Sequence, residues 1–168
     1  MTIAPSCLIE CRNAHIVWVC DRLREDEAEQ YEAFTGMVWN PEDGAAMFIA
    51  KPGPKFTILD AAGLPAAVGG YEEVMRGVWQ SWMCGTDEGW ATNWRSITKG
   101  SRWVADQLLA GAAHRLQTNC LASRTKTMEW YERGLGLQRE GVMRALGVRE
   151  QDAVMFSRIR EAANGRQQ

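Results

Sequence analysis

The stretch from Leu116 to Ile159 constrains this chain more than any other. Leu116 to Ala122 reads as a short strand, and a helix carrying Met128, Trp130 and Tyr131 starts at about Arg124. Glycines at Gly134 and Gly136 stop it, and two strands then flank the polar turn Gly147 to Gln151. A strand, a helix and a hairpin, in that order, require a sheet in which the first strand is joined across a helix.

Upstream, Pro5 to Arg12 reads as a first strand ending at the turn former Asn13. Ile16, Val17, Val19, Cys20 and Leu23 follow helical spacing, with Arg22 and Arg24 at the C-terminal end where cations are favoured. Asp26 to Phe34 is a second helix, closed by Gly36. Asn40 then Pro41, with acids behind them, start a third, which Pro52, Gly53 and Pro54 end. Phe56 to Leu59, Pro65 to Tyr71 and Val78 to Cys84 read as an antiparallel meander, with a bulge expected at Gly69 and Gly70. Asp87 to Ala113 is helical, either one helix broken or kinked near Gly100 or two helices joined there: Trp90, Trp94 and Ile97 repeat at i, i+4, i+7, and Val104, Leu108 and Ala112 continue a helical spacing beyond Gly100.

The length suits one domain, expected over residues 1–163, with a flexible tail at 164–168. The N-terminal residues lack a basic region followed by a long apolar run, and no apolar stretch nears the roughly 20 residues that span a bilayer. A cytoplasmic protein without membrane contact is expected. Five scattered cysteines, without a C-x-x-C pair or a clustered histidine, argue against a disulfide scaffold and against zinc. The net charge of −2 hides an asymmetry: residues 1–84 hold 6 basic and 12 acidic side chains, residues 85–168 hold 13 and 9. The basic residues are dispersed, so nucleic acid is not the expected partner.

Residues 130–137, Trp-Tyr-Glu-Arg-Gly-Leu-Gly-Leu, resemble the aromatic-Tyr-Glu-Arg-Leu-Gly-Phe helix end of the GNAT superfamily of acyl-CoA N-acyltransferases, with one extra glycine. Segments 15–34, 81–87 and 128–137 further resemble the GNAT-like proteins of short-tailed phages, including the internal virion protein A family. There the shared features are Arg22 or Arg24 with Asp26 between two helices, and Trp82, Gly85, Thr86 and Asp87 before the long helix.

That resemblance implies an α/β (α+β) fold with a mixed, mostly antiparallel sheet of six or seven strands and helices on both faces. It implies acetyl-CoA as cofactor, held between two parallel strands that splay apart, here Val78 to Cys84 and Leu116 to Ala122. Met83, Cys84 and Gly85 would then meet the cofactor through backbone, and Tyr131 would be the general acid. Arg124 stands where the family keeps an asparagine on the cofactor. The pyrophosphate loop would fall at Lys99, Gly100, Ser101 and Arg102, degenerate because one glycine is present and Trp103 adds bulk. Glu72, Glu73, Asp87 and Glu88 are open candidates for a base.

Two functions follow. The chain either acetylates an amine using acetyl-CoA, or keeps the fold without turnover and acts in virion morphogenesis or on a host or phage protein, in the host cytoplasm or within the virion. The eight tryptophans read either as core or as a surface for a protein partner over the region Trp79 to Trp103; a non-catalytic module would expose at least one of Trp90, Trp94 and Trp103, and a homo-oligomer is compatible with this. Trp79, Trp82, Trp90, Trp94 and Trp103 are expected in one aromatic cluster.

Overall fold

A computed structural model describes residues 3–161; the tail expected at 164–168 lies outside them. Seven strands form one sheet in the order β1-β2-β3-β4-β5-β7-β6, with β1 Leu8–Glu10, β2 Lys55–Leu59, β3 Pro65–Met75, β4 Val78–Gly85, β5 Arg115–Leu121, β6 Gln138–Met143 and β7 Ala153–Ile159. Every pairing is antiparallel except β4 with β5, the pair joined by a helix.

Three helices precede β2. They are α1 Asn13–Cys20, α2 Glu25–Thr35 and α3 Pro41–Ala50. The side chain of Asn40 accepts the N–H groups of Glu42 and Asp43, with Pro41 in the first turn, so α3 begins where its cap dictates. Gly36 ends α2 at φ 75°, a left-handed conformation suited to glycine.

The helix α4 Asp87–Ala110 covers the opposite face. It is continuous through Gly100, and its one kink lies at Asn93 (φ −122°, ψ 16°). Gly100 serves packing instead, since a Cβ there would come within 3.0 Å of the Ile58 side chain, and its absence lets α4 settle onto the sheet. Likewise Gly69 and Gly70 pair in register and form no bulge; the irregularities lie at Ile58/Leu59 and Glu73/Met75. The two glycines make room for the rings of Phe56 and Trp82, which a Cβ would meet at 2.6 and 2.8 Å.

The tryptophans divide between the faces. Three residues apart on a strand, Trp79 and Trp82 point oppositely: Trp79 packs with Trp90 and Trp130 in the core under α4, and Trp82 with Trp18 and Trp39 under α1 and α3. A single aromatic cluster does not form.

After β5, α5 Thr125–Glu129 continues as a π-helical turn, Trp130–Gly134, in which the N–H of Leu135 reaches the carbonyl of Trp130. A π turn is how a helix absorbs one inserted residue. The extra glycine read in the sequence is therefore taken up here.

Candidate functional site

Strands β4 and β5 run side by side only at Val78↔Arg115, Trp79↔Leu116 and Gln80↔Gln117. Both continue, to Gly85 and to Leu121, with no ladder between them. The result is a wedge through the sheet, holding a cavity of about 350 Å³ lined by Trp82, Met83 and Cys84 of β4, Trp90 of α4, and Arg124, Trp130 and Tyr131. The expected splay is present, with Met83 and Cys84 on its wall.

Helix α2 walls the wide end of this wedge, with Glu27, Gln30, Tyr31 and Phe34 lining the cavity. Oε2 of Glu27 accepts the N–H of Gly85 at 2.8 Å, and Oε1 of Gln30 accepts the N–H of Leu121 at 3.1 Å. Backbone donors from both strands are thus taken by side chains of one helix. Leu23, just before α2, forms an isolated antiparallel bridge with Thr86 and lies along the end of β4.

Arg124 ties the closure together. Its guanidinium donates to Asp26 at 2.9 and 3.0 Å and to Gln30 at 3.0 Å, and lies 3.8 Å from Glu27. Only 7% of its side chain is exposed. Arg24 is engaged similarly, 3.4 Å from Asp26, 4.0 Å from Glu27 and 3.7 Å from Asp87, with its guanidinium over the ring of Trp90.

Burial pushes the Glu27 carboxyl up to about 7, against the pull of Arg124, the Gly85 N–H and Arg24. Burial also raises the Tyr131 phenol to about 12; neighbouring Cys120 adds to the rise and a hydrogen bond with Thr118 opposes it. The phenol is therefore protonated at neutral pH, packed edge-on against Phe156. The Cys84 thiol is pushed well above its ordinary value, first by burial and then by Glu27, so it is an inert wall group. All five cysteines are free, and among the described residues no cluster suited to a metal is found.

The segment expected to cradle a pyrophosphate is helix interior. Lys99, Gly100, Ser101 and Arg102 lie more than three turns into α4, roughly 18 Å past its first residue. Gly100 and Ser101 face the sheet, Ser101 bonding to the Met83 sulfur at 3.5 Å, while Lys99 and Arg102 point to solvent. The helix N-terminus beside the wedge is instead at Thr86, with no loop after β4. There the Thr86 hydroxyl accepts the Gly89 N–H, and Asp87 and Glu88 fill the first turn. An anion at that end would meet two carboxylates and a donor already used. The phosphates of acetyl-CoA would find no loop cradle at either place, and its amide arm would compete with Glu27 and Gln30 for the strand ends.

Of the bases considered from sequence, Glu72 lines the cavity but bridges to Lys51 at 3.6 Å, Glu73 holds the N–H of Gly77, and Asp87 and Glu88 are exposed. Glu27 was not among them. Acids in a helix's first turn read as partners of its dipole, yet Glu27, Tyr31 and Phe34 fall at i, i+4, i+7, and a carboxylate in phase with an inward stripe was the available signal.

No family model matches the chain, and no curated protein resembles it in sequence. Solved structures do match its fold. A GNAT-family acetyltransferase from Bacillus anthracis superposes with a TM-score of 0.72 at 13% identity, covering 96% of this chain and 100% of that one. A ribosomal-protein-alanine N-acetyltransferase from Brucella melitensis gives 0.69 at 12% identity over 90% and 98%. A GNAT-superfamily phosphinothricin acetyltransferase from Sinorhizobium meliloti, solved with acetyl-CoA, gives 0.62 at 12% over 96% and 92%. The chain has the GNAT fold.

Proposed function

We propose that this chain is a non-catalytic binding module on the GNAT fold, acting in virion morphogenesis or on a host or phage protein. The observation that carries this reading is the capping of the splayed strand ends by α2: Glu27 and Gln30 take the Gly85 and Leu121 N–H groups at the open end of β4 and β5. A helix start rich in carboxylates, where a phosphate would need donors, supports it further. The likeness of residues 15–34, 81–87 and 128–137 to phage GNAT-like proteins supports a phage origin.

Calorimetric titration with acetyl-CoA tests it directly. No saturable heat is expected up to about 1 mM cofactor, a level at which even a complex worth about 4 kcal/mol would register. Saturable binding overturns the reading.

A second reading, N-acetyl transfer, has one observation in its favour: a carboxyl near 7 and a protonated phenol, Glu27 and Tyr131, line the same cavity. Should turnover be measured, Tyr131→Phe would lower it by roughly 10² or more, the usual contribution of a general acid. An unchanged rate would leave Tyr131 a packing residue.

A further inference from the structure

Beyond the wedge, the outer face of α4 carries a row of cations that no carboxylate pairs among the described residues. Arg95, Lys99 and Arg102 stand at i, i+4, i+7, within one sixth of the helix circumference, and all three are exposed. Among the described residues none of them forms an ion pair, whereas the exposed neighbours Asp106 and Arg133 are already paired with Arg158 and Glu129. Beside the stripe Trp94 is 47% exposed, the most exposed tryptophan described, with the Arg95 guanidinium 4.9 Å from its ring.

Helix α2 presents the complement. Glu25, Glu29 and Glu32 have the same i, i+4, i+7 spacing, and Glu25 and Glu29 are exposed without an ion pair among the described residues. Glu32 uses one oxygen on the N–H of Trp39. Arg24, Arg124, Lys126 and Arg149 border this stripe; Arg24 and Arg124 are held by Asp26 and Glu27, which leaves Lys126 and Arg149 at its edges beside Asp87. Laid parallel, three cations face three carboxylates over roughly 10 Å of helix.

We propose that α4 of one copy docks on α2 of another. A second copy fits better than nucleic acid, because the chain as a whole is acidic, with net charge −2 and a pI near 5.8. Made once between two copies the contact propagates into a ring or a filament, and made reciprocally it closes as a two-fold dimer. Solvated ion pairs make it weak and strongly screened, with Trp94 adding the apolar area. It is independent of whether the wedge takes a cofactor.

Analytical ultracentrifugation of the full chain tests this at about 20 mM and about 500 mM salt, either side of the screening range. The average mass is expected to rise above 18.8 kDa with protein concentration at low salt and return to it at high salt. Arg95→Glu/Lys99→Glu/Arg102→Glu and, separately, Glu25→Lys/Glu29→Lys should each be monomeric, with unchanged melting showing that both fold. Mixing the two variants should restore association, because each reversed face meets an opposite one. A monomer under all conditions, association indifferent to either reversal, or a mixture that stays monomeric would each overturn the proposal.

Discussion

Glu27 is a buried carboxylate on the inward stripe of α2, and its ionisation works against the fold. Its carboxyl stands near 7 in the folded chain against an ordinary 4.5, so the native state holds its proton more tightly than the unfolded one. Its contribution to stability is full below about 4.5 and is lost as pH rises through about 7. Glu140 has the opposite sign: hydrogen bonds from Arg115 and Ser157 hold it near 2, so its contribution is present above 4.5 and lost on acidification. Urea unfolding measured against pH should therefore show these two limbs meeting near pH 5. Glu27→Gln, whose amide oxygen still accepts the Gly85 N–H, should flatten the neutral limb alone, and Glu140→Gln the acid limb alone. A neutral limb untouched in Glu27→Gln would return that carboxyl to an ordinary value.

Among the elements, the π turn is the one whose existence depends on a single residue. Gly134 has its missing Cβ replaced by the Trp130 indole, which a side chain would meet at 2.6 Å, and Trp130 in turn donates to Thr98 of α4 at 2.8 Å. Deleting Gly134 should let residues 125–133 close as ordinary α-helix, a change within about 1 kcal/mol because one wide turn is exchanged for regular hydrogen bonds. Deleting Ala105, buried in the middle of α4, would turn every later side chain by about 100° and should abolish cooperative unfolding. Thermal melting of the two deletions separates these outcomes; equal losses would mean that the π turn is fixed by its contacts rather than by the insertion.

Across the molecule, the sheet sorts six of the eight tryptophans into two cores; of Trp94 and Trp103, which belong to neither, Trp94 is the exposed one. Iodide quenching should find one dominant accessible component, and Trp94→Phe should remove it; quenching that survives this substitution would place the exposed indole elsewhere. The order of strands and helices, the Asn40 cap, the Gly36 stop and the parallel pairing of β4 with β5 were legible in the sequence, because each follows from local backbone preference or from the helix that must join two strands. Periodicity also placed α4, but it misread Gly69, Gly70 and Gly100: a glycine that admits a neighbouring ring or side chain looks in sequence like one that breaks an element. The splay was foreseeable only by resemblance. What closes it was not, because Glu27 and Gln30 reach strand ends 58 and 91 residues away, and no local preference encodes which backbone donor a distant carboxylate will satisfy. Local preference was enough for the elements and their order; whether the wedge between them stays open is settled by packing between residues far apart in the chain.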